Sequence, residues 1–169
     1  DVCSSDLSIC GVSYTEEGFP HTWFPFLSSK VVGIRVMDIC KNDINRGLYQ
    51  LAHEIIHCLC PHREINANVF EEGLATHFAA EYMDEYEKQP DWHPAETDYK
   101  YVLALKCIKK AFEIDPNIAT KLVAKERNFV NITENMILEV SPKLPRDLAK
   151  ILTTDFYDDS WIELANKIE

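Results

Sequence analysis

The sequence predicts an α+β fold, with a small β region near the N-terminus and a mostly helical remainder. Three observations support this prediction. A run of β-favouring residues occupies positions 30–40, an amphipathic helical pattern begins at Asp43, and helical segments alternate with proline-marked turns from about position 98 onward. We expect the 169 residues to form a single domain, because chains of this length commonly build one core.

The N-terminal part divides into an irregular segment and a strand. Residues 1–29 carry prolines and glycines interleaved with aromatic side chains, which predicts a loop that packs on a core. From Lys30 to Cys40, valine and isoleucine side chains partly alternate with other residues, and this pattern predicts a strand.

The first predicted helix has a defined start and end. Asp43 is a good N-terminal cap, and the apolar residues after it recur with helical spacing. Pro61 disfavours helical geometry in the residue before it, so the helix should end near Cys60.

The second helix should begin at Asn68 and run to about Glu85, because Asn68 and Glu71 have the spacing of a capping box. A break follows at 89–94. Further helices are predicted at about 98–114, 117–125, 133–139, 145–153 and 159–168. Within the single domain we therefore expect an irregular segment at 1–30, a core at 31–85 and a helical part at 95–169.

The first helix carries the main functional motif, since His53-Glu54-Ile55-Ile56-His57 fits the pattern H-E-x-x-H. Residues four apart share one face of a helix, so both imidazoles can reach one metal ion. Glu54 is turned about 100° away, where its carboxylate can reach a water on that metal. We expect these three side chains to face an open cleft. The aliphatic residues should pack on the opposite side: Leu48, Leu51, Ala52, Ile55 and Leu59.

A third ligand is expected on the second helix, where the sequence Glu71-Glu72-Gly73-Leu74-Ala75 occurs. With both motifs, the stretch 31–83 resembles the gluzincin metallopeptidases. In that family, an H-E-x-x-H helix is followed by a helix with an N-E-G-[LF]-A-like motif, whose glutamate is the third zinc ligand. The resemblance implies a zincin-like fold and one Zn²⁺ per chain, held by His53, His57 and Glu72. It also implies zinc-dependent hydrolysis of peptide bonds, with Glu54 as the general base.

The identity of the third ligand has alternatives. Glu71 precedes Glu72 directly, but it is expected to serve the Asn68 cap. Gly73 should let the second helix approach the first closely. The metzincin pattern would require Gly at position 60 and His at position 63, where this chain has Cys60 and Arg63, and His62 lies one residue out of register.

Further residues could contribute to the predicted site. Candidates for stabilising the oxyanion of the transition state lie downstream of the third ligand: His77, Tyr82, Tyr86 and His93. The strand at 31–39 resembles the edge strand that lines the substrate cleft in this fold, where an extended peptide adds to the sheet, although it could equally be a core strand. Cys58 and Cys60 flank the histidine motif and are expected as buried thiols rather than ligands.

Composition excludes several classes of function. The chain has 17 Lys+Arg against 28 Asp+Glu, a formal net charge of −11, which argues against binding to nucleic-acid phosphates or anionic membranes. A run of about 18 apolar residues is absent, so no transmembrane helix is expected. The expected partner is a peptide or protein substrate, and the oligomeric state stays open. Two alternatives to an enzyme are a non-catalytic binding or regulatory module of zincin fold and a structural helical domain without metal.

The cysteines bear on the compartment. Six cysteines are too sparse for a disulfide scaffold and are expected mainly as reduced thiols, although Cys3 and Cys10 could bridge. No apolar leader precedes the first strand, so a cytoplasmic location is favoured over secretion, which would require that an N-terminal signal had been removed.

Overall fold

The computed structural model describes residues 7–26, 30–62, 66–89 and 98–168. Within these ranges the chain is α+β, as predicted, with seven α-helices and a three-stranded sheet. The chain divides into two compact units, the first within 1–64 and 78–94 and the second within 65–77 and 95–169. The single-domain organisation stays a prediction. No helix in the described ranges is long and apolar enough to cross a membrane.

The first unit contains the sheet, in the order β1-β3-β2, where β1 is Ser8–Thr15, β2 is His21–Trp23 and β3 is Val31–Met37. The central strand β3 runs parallel to β1 and antiparallel to β2. The prediction that 1–30 is irregular is therefore wrong for β1 and β2. In β1 every side chain except that of Thr15 is exposed, so this strand lacks the alternation that marks a half-buried strand in a sequence.

The strand predicted at 30–40 is the middle of the sheet, which makes the edge-strand interpretation wrong. It ends at Met37, and Asp38–Lys41 form a 3-10 turn instead of continuing it. The valine and isoleucine side chains on one face of β3 are almost fully buried. They form the core of this unit together with two cysteines: Val32, Ile34, Val36, Cys40 and Cys58.

Helix α1 spans Ile44–His57 and follows the sheet directly. It begins as predicted, because the Asp43 carboxylate accepts a hydrogen bond from the Arg46 amide at 3.1 Å. It ends at His57, three residues before the predicted position. The Gln50 Oε1 atom accepts a hydrogen bond from the Met37 amide at 2.9 Å, which ties α1 to the end of β3.

The exposure of α1 corrects the expected division of its faces. His53 and Glu54 are 7% and 3% exposed, whereas Ile55 and Leu59 are 37% and 57% exposed. The predicted ionisable arc is therefore largely buried rather than open, and two of the five aliphatic residues face solvent. A helical wheel separates polar from apolar residues, but polar side chains are also buried where they have partners.

Helix α2 spans Val69–Glu85, as predicted from its cap. The Asn68 Oδ1 atom accepts a hydrogen bond from the Glu71 amide at 3.0 Å. The first turn of α2 is buried on all sides, and the buried stripe continues along one face through Ala75, Thr76, Ala79, Ala80 and Met83.

The second unit contains the remaining helices, close to their predicted positions. They are α3 Tyr99–Ile114, α4 Ile118–Lys125, α5 Glu134–Val140, α6 Arg146–Leu152 and α7 Ile162–Ala165. The last predicted helix, 159–168, is a 3-10 turn at Asp159–Trp161 followed by the short α7. The predicted break at 89–94 lies, apart from Gln89, outside the described residues. Aromatic side chains fill the core here, with the Phe156 and Trp161 rings 5.8 Å apart.

Four of the five described cysteines are free thiols, of which Cys10 is exposed and Cys40, Cys58 and Cys107 are buried. Burial raises the pKa of Cys58 and of Cys107 to about 12. The expected reduced thiols are thus correct for these residues, and the possible Cys3–Cys10 bridge is wrong because Cys10 is free. Cys60 is in a disulfide, which corrects the prediction of a thiol there. A disulfide requires two sulfur atoms close in space, and that proximity comes from tertiary structure.

Candidate metal centre

Helix α1 places two imidazoles side by side in its last turns. The rings of His53 and His57 have centroids 5.1 Å apart and are tilted by 56° to each other. The spacing of four residues puts them on one face, as the helical period requires. His53 is buried and His57 is half-buried.

The third group of the candidate site is a carboxylate from the first turn of α2. Glu72 is 5% exposed, and its own amide donates a hydrogen bond to the Asn68 carbonyl at 3.1 Å. One turn later, the Thr76 hydroxyl donates to the Glu72 carbonyl at 2.8 Å. These contacts fix the main chain on both sides of the Glu72 side chain.

Three predicted ligands come together at this place. One ligand atom each from His53, His57 and Glu72 lies within 4.8 Å of the other two, and the group could hold a metal ion. Two imidazole nitrogens and a carboxylate oxygen form a mixed N/O donor set of the kind that binds divalent transition metals. The group contains neither Cys58 nor His62, which were alternative ligands.

Glu54 lies next to the first of these ligands but is not part of the group. Its side chain is almost fully buried on α1, immediately after His53. Its negative charge is the second cause, after burial, of the raised pKa of the Cys58 thiol. A carboxylate held beside a metal-binding pair can accept a proton from a water that the pair's metal would bind.

Glu71 is also buried, with an exposed fraction of zero, so burial alone does not separate it from Glu72. Its amide is held by the Asn68 cap, and the group that could hold a metal ion includes Glu72 and not Glu71. Consecutive residues of a helix differ in direction by about 100°, so two adjacent glutamates cannot both face the same point.

The residues predicted to stabilise an oxyanion have other contacts. The His77 ring lies 5.0 Å from the Phe112 ring. The Tyr82 hydroxyl donates to Glu87 Oε1 at 3.0 Å, a bond that raises the pKa of Tyr82. The exposed Tyr86 stacks on Tyr82 with ring centroids 5.5 Å apart. His93 lies outside the described residues, and the role of all four stays a prediction.

Sequence reasoning missed one polar residue, Gln50, and one contact of another, Asn68, that hold the helices of the candidate site. Gln50 joins α1 to β3, and Asn68 makes a second bond beyond its cap, from Nδ2 to the Phe129 carbonyl at 2.7 Å. The cap position of Asn68 was visible in the sequence. Its partner 61 residues away left no signal there.

Comparison of the chain with protein-family models, with curated proteins and with solved structures gives no match.

Proposed function

We propose that this chain is a zinc metallopeptidase with a zincin-like, gluzincin-type catalytic site, which hydrolyses peptide bonds in a peptide or protein substrate. The observation that carries the proposal is the close approach of His53, His57 and Glu72, with Glu54 buried next to His53. Two histidines and a glutamate are one of the ligand sets of catalytic zinc sites, which leave a coordination position for water or substrate.

Each residue of the proposed site has a separate role in hydrolysis. His53 and His57 would hold the Zn²⁺ as neutral imidazoles, and Glu72 would add one negative charge to the site. A bound Zn²⁺ would lower the pKa of a water toward 7 and polarise the substrate carbonyl. Glu54 would accept a proton from the attacking water as the water oxygen bonds to the carbonyl carbon of the substrate. Glu54 would then give the proton to the amine nitrogen as the C–N bond breaks, so that its carboxyl group ends the cycle ionised as it began.

A general base beside the ligands favours an enzyme over a purely structural metal site. A structural zinc site is usually closed by four protein ligands, whereas the group found among the described residues has three. The main alternative is a non-catalytic binding or regulatory module that keeps the same fold.

The test is the substitution Glu54→Gln, which keeps the size of the side chain but removes its ability to accept a proton. We expect kcat for peptide cleavage to fall by at least about 100-fold, the lower end of general acid–base contributions. Cleavage of a broad peptide library is followed by mass spectrometry, with bound zinc and far-UV circular dichroism measured in the same samples. The variant should keep both its zinc and its fold.

Glu85→Gln is the matched control, because it makes the same chemical change at an exposed position of α2. It should cleave like the wild type. Undiminished cleavage by Glu54→Gln would remove Glu54 from the mechanism. If the zinc-loaded wild type cleaves no peptide in the library, the non-catalytic module replaces the peptidase as the function.

A further inference from the structure

We propose that Asn68 is the positioning residue of the metal ligand Glu72. By fixing the first turn of α2 to the helical part of the second unit, Asn68 determines where the Glu72 carboxylate lies. This role depends on the metal site proposed above, and it is assigned to a residue that makes no contact with the metal itself.

Asn68 makes two hydrogen bonds to the first turn of α2 and a third to another segment of the second unit. Its side-chain Oδ1 accepts from the Glu71 amide at 3.0 Å, and its main-chain carbonyl accepts from the Glu72 amide at 3.1 Å. Its Nδ2 donates to the Phe129 carbonyl at 2.7 Å. Asn68 is only 4% exposed, so water does not compete with these bonds.

The chain on either side of Asn68 is anchored in the same way. The Val69 amide donates to the Thr154 carbonyl at 2.9 Å, and the Phe156 amide donates to the Ala67 carbonyl at 3.0 Å. These bonds flank an isolated antiparallel bridge between Asn68 and Asp155. The start of α2 is thus held to two separate segments of the second unit.

A second fixed point follows immediately after Glu72. A Cβ atom on Gly73 would lie 2.8 Å from the Ala104 carbonyl oxygen and 2.8 Å from Ile108 Cγ1, so α2 touches α3 at this residue. Glu72 therefore lies between a hydrogen-bonded cap and a close backbone contact. The Asn68 cap and the contact at Gly73 therefore prevent α2 from rotating about its axis or sliding along it at this turn.

The carboxamide side chain of asparagine suits position 68 better than the side chains of Ser or Asp. Asn offers an acceptor for the Glu71 amide and a donor for the Phe129 carbonyl at once. Ser can still cap the helix, but it lacks the second group. Asp also keeps the acceptor for the helix cap, but it has an oxygen in place of the Nδ2 atom. That oxygen and the Phe129 carbonyl oxygen are both acceptors and repel each other.

The experiment measures Co²⁺ binding and the visible absorption of the Co²⁺ complex, whose bands report the number and geometry of the ligands. We expect Asn68→Ser to weaken Co²⁺ affinity by about tenfold, the lower end of the effect of residues that orient metal ligands, and to change the spectrum. Asn68→Asp is measured in parallel and also covers the case in which the Ser variant does not fold. Its added negative charge alone would strengthen cation binding, so weaker binding by an Asp variant that keeps its far-UV circular dichroism indicates displacement of Glu72.

Thr133→Ala is the matched control, because it removes a helix cap of α5 in the same unit, where the Thr133 hydroxyl accepts from the Met136 amide at 3.3 Å. It should lower the unfolding temperature and leave both the Co²⁺ affinity and the spectrum unchanged. If the Asn68 variants bind Co²⁺ like the wild type with the same spectrum, Asn68 has no positioning role. If the wild type itself binds no Co²⁺, the metal site fails, and the role of Asn68 fails with it.

Discussion

At the scale of single residues, the site depends on a choice between two adjacent buried glutamates. Glu71 and Glu72 are 0% and 5% exposed, and both lie in the first turn of α2. Glu72 shares its face with Thr76, Ala79 and Met83, the buried stripe of the helix. The direction of the side chain, rather than burial or charge, therefore separates the two.

We predict that Glu72→Gln weakens zinc binding severely, because an anionic ligand becomes a poor neutral one. Glu71→Gln should keep the zinc affinity within a few-fold of the wild type. The cap of α2 is a bond from the main-chain amide of residue 71 to Asn68, and the substitution does not remove that amide. Zinc affinity is measured for both variants by competition with a chromophoric chelator. The opposite result, in which only Glu71→Gln loses the metal, would mean that Glu71 is the third ligand.

At the scale of elements, two glycines in helices differ in the space around them: a side chain would clash at Gly73 but fit at Gly47. Gly73 was expected to open the approach of α2 to the His53/His57 helix, but its nearest neighbours are Ala104 and Ile108 of α3. Gly47 in α1 has only Cys40 nearby, at ordinary contact distance, 3.4 Å from a built Cβ. The same substitution should therefore have opposite effects at the two positions.

We predict that Gly73→Ala lowers the free energy of unfolding by about 1–3 kcal/mol, the usual cost of overpacking a filled core. The clash at 2.8 Å is with the Ala104 main-chain oxygen, which cannot rotate away. Gly47→Ala should instead raise the free energy of unfolding, by up to about 1 kcal/mol, because alanine loses less conformational entropy than glycine when a helix forms. Urea unfolding of both variants makes the comparison. Equal effects at the two sites would show that α2 does not touch α3 as described.

At the scale of the whole molecule, a metal that binds only the folded state must stabilise it. The ligands come from two helices, α1 and α2, so an unfolded chain cannot present the same group. Free zinc at about 100 times its dissociation constant should add about 2.7 kcal/mol to the free energy of unfolding.

We predict that this gain appears as a rise of several degrees in the unfolding temperature measured by calorimetry, and that His57→Ala loses both the rise and most of the bound zinc. Mg²⁺ is the control cation, because it prefers six oxygen ligands and should leave the unfolding temperature of the wild type unchanged. An equal rise in the His57→Ala protein would place the stabilising zinc elsewhere.

The sequence alone determined the features that depend on neighbouring residues. The start of α1 at Asp43, the start of α2 after Asn68 and the positions of α3 to α6 follow from caps and spacing. The two histidines of H-E-x-x-H share a face for the same reason, because the period of a helix is local. The α+β class follows from the sum of these local signals.

Tertiary structure decided what depends on distant residues. Strands β1 and β2 form because β3 pairs with them, and β1 carries no pattern of its own. The neighbours of Gly73 likewise lie on another helix, α3. The burial of His53 and Glu54 and the disulfide of Cys60 were not visible in the local sequence either. The physical reason is that helical caps and periods act over a few residues, whereas strand pairing and burial are settled only when remote segments meet in space.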